Sequence, residues 1–166
     1  MATMRRSFTD RMIAAARLDI NVYEEVEADT DATMQAAGVV MLAAVASAIG
    51  GVDNGATVIF GGFLRAFIGW LLWAGITYLI GDKLLGGTAT WGELLRTIGF
   101  AQAPSVLLVL AIVPLLRWIV VFVVGTWVFV ASIVAIRQAL DFSTGRAIAT
   151  ALLGFIPYAI LIAVFT

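Results

Sequence analysis

Charge is spread so unevenly along this chain that five long stretches carry none: 32–52, 66–81, 98–116, 118–136 and 147–166. A bilayer core roughly 30 Å thick is crossed by about 20 mainly apolar helical residues, with every backbone hydrogen bond closed inside the segment. A water-soluble domain of 166 residues has no interior large enough to hide them all. The sequence therefore predicts an all-α fold, a polytopic membrane helix bundle with five transmembrane helices and an N-terminal amphipathic helix. A mean hydropathy of +1.04 and 13% charged residues agree, since soluble domains carry about a quarter charged residues.

The same composition excludes much chemistry. Cysteine and histidine are absent, which removes disulfides, thiolate nucleophiles, Cys-based metal sites and the side chain best suited to proton transfer near neutral pH. A net charge of -1 without a basic patch argues against nucleic acid. No catalytic, metal-binding or cofactor-binding residue is expected. Gly81-Asp82 matches half of an intramembrane aspartyl protease signature, but that chemistry needs two carboxylates sharing a proton, and Asp53 and Asp141 both fall in expected loops. Walker-type loops, dinucleotide fingerprints and the Gly-x-Ser-x-Gly elbow do not occur.

Residues 1–31 are expected to form a cytoplasmic amphipathic helix and an acidic linker, and 32–166 the membrane domain. Arg5 and Arg6 precede a short apolar piece, Met12 to Ala16, that is too short for a signal peptide, so the segment is expected to be retained. Phe8, Met12, Ala16 and Ile20 recur at helical spacing, which suits a helix lying along the membrane surface or one packed on the bundle. Glu24, Glu25, Glu27, Asp29 and Asp31 then make an acidic linker, whose last residues offer caps and favourable charge to the first span.

The spans are expected at about 33–50, 63–80, 91–113, 118–136 and 147–165, with 51–62 a loop. The first is rich in small residues, the kind that let helices approach closely in lipid. Arg65 near the start of the second is expected to snorkel to the headgroups, because an arginine at mid-bilayer costs about 2.5–3.5 kcal/mol on insertion scales. Trp118, like Trp70 and Trp73, reads as an interface anchor. Thr90 and Glu93 make the capping-box pattern that starts the third span. Pro104 breaks or kinks it, Pro114 ends it, and Pro157 kinks the fifth. Gln102 is read as a packing group that bonds a carbonyl freed by Pro104 or crosses to a neighbour, in preference to lining a solute path.

With the N-terminus inside, eight of the ten lysines and arginines lie on the cytoplasmic side and only Arg65 and Arg117 outside, which orients the chain N-in and C-out.

The run from Tyr78 to Pro104, with the pair Gly86-Gly87, the helix start at Thr90 and the element Gly99-Phe100 followed by Pro104, resembles the Yip domain family, the Ypt-interacting-protein membrane domain. Val22 to Thr33 and Val134 to Ala147 look like its bacterial members in particular. The resemblance implies five spans and a cytoplasmic N-terminus. Its eukaryotic members are linked to membrane traffic and to Rab-type GTPases through a longer N-terminal region. A bacterial relative would have no Rab partner, and fold analogy does not transfer that activity. What carries over is a non-enzymatic scaffold or accessory subunit in the bacterial cytoplasmic membrane, in contact with lipid and with other membrane proteins or copies of itself. A small solute transporter or channel acting as an oligomer is the alternative.

Overall fold

The structure, a computed structural model, describes residues 6–51 and 58–165. The described residues form helices and no strand, in the order α1 (Phe8–Ala16), α2 (Ile20–Ala28), α3 (Ala32–Ile49), α4 (Val58–Tyr78), α5 (Trp91–Ala101), α6 (Arg117–Ala139) and α7 (Thr144–Phe165). A π-helical turn, Leu79–Leu84, extends α4, and a 3₁₀ segment, Ala103–Ile112, extends α5. Five of the resulting rods are long and apolar enough to cross a membrane. They run alternately, so α3, α5 and α7 begin at the end of the bundle where α4 and α6 finish. That end is called basal below, and the opposite end apical.

The third span is the axis. Along α5 every residue from Leu94 to Ala101 is buried, and the helix touches α1, α2, α3, α4 and α6. Gly99 makes the tightest approach: a Cβ there would stand 2.7 Å from that of Ala36 on α3 and 3.2 Å from the Trp70 ring on α4. The Trp70 indole N–H reaches round to donate to the Leu95 carbonyl at 3.0 Å. With no hydrophobic force between helices in lipid, close backbone packing of this kind holds spans together.

At Gln102 the helix changes pitch. Proline supplies no N–H, so the α-helical ladder stops just before Pro104, and the chain winds on as a 3₁₀ helix to Ile112. Val113 is extended and the chain turns through Pro114 into α6. Because a 3₁₀ helix rises about 2 Å per residue, these ten residues complete the crossing that α5 begins.

Several boundaries differ from the sequence reading. The stretch 58–62, expected as loop, is the first turn of α4, while Asp53 and Asn54 lie outside the described residues. Pro157 stands inside α7, which continues past it. The acidic stretch expected as a linker is mostly α2. It is helical because Asp19 caps it, accepting from the Asn21 N–H at 3.0 Å, and because Val22, Tyr23 and Val26 are fully buried. The single helix expected from Phe8 to Ile20 is two, reversed at Leu18, which takes the left-handed conformation at φ 62°. The first of them is packed on the bundle.

Candidate functional site

Two nine-residue helices are too short to persist alone in water. What holds the α1–α2 hairpin in place is a set of polar contacts within it and to the spans, several of which satisfy carbonyls that a helix end leaves open. At the end of α1, the Tyr23 hydroxyl donates to Ala15 at 3.1 Å and the Trp127 indole to Ala16 at 2.8 Å. At the end of α2, Arg96 Nε donates to the carbonyls of Val26 at 2.9 Å and Glu27 at 3.1 Å, and its Nη2 also bonds Glu27. Arg96 is itself buried.

Arg11 ties α1 to both neighbours. Only 1% exposed, it gives Nε and Nη2 to Glu25 Oε1 at 3.0 and 2.8 Å, Nη2 to Asp29 Oδ2 at 2.8 Å, and Nη1 to Gln35 Oε1 at 2.9 Å. A buried guanidinium is tolerable only with its fork filled in this way. Beneath it, the Phe8 ring lies 3.6 Å from where a Cβ on Gly38 would be. Gly38 thus admits α1 rather than a second span.

At the basal mouth, four carboxylates gather: Glu24 and Glu27 from α2, Glu93 from the first turn of α5, and Asp141 after α6. Burial, then the charges of Glu93, Asp141 and Glu24, raise the Glu27 carboxyl to about 7, against the pull of Arg96. Gln138 donates to Glu24 at 3.0 Å and Thr88 to Asp141 at 2.9 Å. Among the described residues no cluster of His, Cys, Asp or Glu is placed to hold a metal. Nearby, Leu140 fills the space beside Gly81 and Gly87, where any larger residue would collide with it. Arg146 covers the Phe142 ring at 4.0 Å and donates to the Leu85 carbonyl.

The residues singled out from the sequence fall in separate places. Thr90 and Glu93 form a reciprocal capping box at the start of α5, at 3.3 and 2.7 Å. Gly99 lies in the α3–α5 contact, and Pro104 is buried at the change of pitch. Gln102 is half-buried and its Oε1 accepts from Ser105 at 3.4 Å, a contact inside its own segment. Pro114 is exposed at the apical turn, Pro157 lies within α7, and Arg65 and Trp118 are exposed near apical ends. The sequence reading missed Arg11, Arg96 and Trp127. Their partners lie 14 to 111 positions away, and the only available signal was an arginine on a helix otherwise suited to packing.

Apolar rods of spanning length around a buried central helix define a multi-pass helical membrane protein. Residues 24–166 match the family model for the Yip1 domain. The chain belongs to that family. The match begins inside α2, so α1 precedes the family domain and is seated against it. No curated protein and no solved structure matches the chain. A Yip1-family membrane protein built of apolar helices fits a membrane-associated, non-enzymatic role.

Proposed function

We propose that this protein is a scaffold or accessory subunit of a membrane assembly, resident in the bacterial cytoplasmic membrane with its basal end facing the cytoplasm. The observation that carries this reading is the fate of the buried charges. Among the described residues these are Arg11 and Arg96, and both spend their donors on neighbouring helices of the same chain. Side chains that work on a solute inside a membrane instead face a pathway or cavity. Gln102, the best polar candidate in the third span, is engaged by Ser105.

The outward faces suit lipid or another membrane protein: Trp118, Ile119 and Phe122 on α6, and Leu152, Phe155 and Ile156 on α7, are all exposed. The eight-to-two split of basic residues in the sequence supports this orientation, and among the described residues only Arg65 and Arg117 fall at the apical end. Affinity purification in mild detergent with mass spectrometry tests the role. A defined complex with other membrane proteins is the expected result. A self-assembled particle that passes solutes in liposomes refutes it in favour of a channel.

A further inference from the structure

Helix α1 lies across the spans rather than along them. Its first residue, Phe8, rests against Gly38 of α3, and its last, Ala16, receives the Trp127 indole of α6. Between those ends it touches α5 and the 3₁₀ segment, so it bridges α3 to α6 over the third span. Trp127 stands ten residues after Arg117 and twelve before Ala139, which sets this crosspiece level with the middle of α6, about 18 Å from its basal end at 1.5 Å per residue. Half a hydrocarbon core is about 15 Å thick. Headgroups do not lie at that level, and a charged group there needs a partner supplied by protein.

Arg11 and Ala15 turn inward and are buried. The opposite face carries Asp10, Ile13, Ala14 and Arg17, whose spacing of i, i+3, i+4 and i+7 makes one stripe of a helix. Asp10 and Arg17 are exposed, and Ile13 is 45% exposed. The stripe borders a cleft of 370 Å³ that also takes in Arg6 and Asp19, which pair with each other at 3.2 Å. Asp10 accepts the Ser7 hydroxyl at one oxygen, at 2.6 Å. Arg17 has no ion pair among the described residues. The midpoint between positions 10 and 17 falls between Ile13 and Ala14, so an acid and a base stand at equal distances from a small apolar centre. Such a stripe is complementary to itself when reversed.

We propose that α1 pairs antiparallel with α1 of a second copy of this chain, forming a twofold dimer within the membrane. Copies inserted the same way round share a twofold axis only along the membrane normal. That axis keeps the spans aligned and reverses any helix lying across them, which is the arrangement the stripe requires. Asp10 of each copy then faces Arg17 of the other as a charge-assisted pair, and Ile13 meets its mate at the axis. The small Ala14 admits the approach of about 8–10 Å between axes usual for packed helices. Charges that lipid cannot serve are thus served by the same charges of the mate. A foreign surface would not call for a stripe that matches itself. Since α1 lies outside the matched residues 24–166, the family match does not supply this contact. The pairing is also independent of the scaffold role.

The test is cysteine cross-linking in native membranes, for which the chain offers no cysteine of its own to interfere. Ala14→Cys lies beside the axis and should oxidise to a dimer of twice the chain's mass, while Leu152→Cys, at an exposed position of α7, should not. In the Ala14→Cys background, Asp10→Lys and Arg17→Glu each set like charges face to face and should lower the yield about tenfold. The two reversals combined make the stripe complementary again and should restore the yield, which a merely structural role for either residue would not do. Asp10→Lys also loses the Ser7 hydroxyl, so thermal unfolding accompanies each variant, and Arg17→Glu, at an exposed position, decides if Asp10→Lys unfolds. No dimer from Ala14→Cys, equal yields from Ala14→Cys and Leu152→Cys, indifference to charge reversal in folded variants, or no recovery in a folded double reversal overturns the proposal. So does an adduct of any other mass, which would assign the stripe to a different membrane protein. Absence of the dimer beside a recovered complex with other membrane proteins removes this inference and leaves the scaffold reading standing.

Discussion

The basal and apical halves of this bundle are held together by different physics. Basally, side chains cross between elements to reach particular atoms: Arg11 to Glu25, Asp29 and Gln35, Arg96 to the end of α2, Trp127 to the end of α1, Trp70 to Leu95. Apically, contact is largely shape. Gly50 lets α3 close on the Leu108 carbonyl of the 3₁₀ segment. The third span shows the contrast within one element, eight consecutive buried residues in α5 giving way to exposed Leu107, Leu110 and Ile112 beyond Pro104. Directed hydrogen bonds fix register and approach angle, while packing of small side chains fixes distance. The half that carries the hairpin is thus the half whose geometry is specified atom by atom.

The largest expected effect removes the basal anchor. Arg11→Met keeps the bulk of the side chain but takes the guanidinium from Glu25 and Asp29, and breaking a buried ion pair from one side costs about 3–5 kcal/mol. Because Glu25 is 27% exposed, the lower end of that range is expected. Hydrogen exchange should then show α1 and α2 losing protection while α6 and α7 keep theirs. Uniform loss across the bundle would mean that the two halves are one cooperative unit. Next in size is Gly99→Val, which drives a branched side chain into Ala36, whose Cβ is fixed to the α3 backbone. Overpacking of this kind costs about 1–3 kcal/mol, read as a lower unfolding temperature in detergent. An unchanged temperature would show that α3 and α5 can slide apart, and that distance in this bundle is not set by glycine.

The limits of the sequence follow the same division. The five spans were legible because lipid imposes length and charge rules on each segment separately. The start of α5 was legible because Thr90 and Glu93 lie within one helical turn, and the break at Pro104 because proline lacks a donor wherever it stands. The hairpin was not. Arg11 looks on a helical wheel like any solvated arginine, and nothing local marks Trp127 as the partner of a carbonyl 111 residues earlier. Five acidic residues between 24 and 31 suggest a linker, and tertiary partners, Arg11 and Arg96 with the buried face of Val22, Tyr23 and Val26, make a helix of most of that stretch.

The smallest expected effect separates a charge from a contact. In the fold the Glu27 carboxyl is raised to about 7, by burial and by Glu93, Asp141 and Glu24, while an unfolded glutamate titrates near its ordinary value of 4.5. The folded state therefore holds the proton more tightly, so this residue favours folding fully below pH 4.5 and loses that contribution as pH rises through about 7. Glu27→Gln fixes the neutral state. The variant should match the parent near pH 4 and exceed it modestly near pH 8, the gain confined to protection of α2 and the start of α5. A difference between the two proteins that stays constant from pH 5 to pH 8 would show that the Glu27 side chain contributes by shape alone. The basal mouth would then be held, like the apical half, without reference to charge.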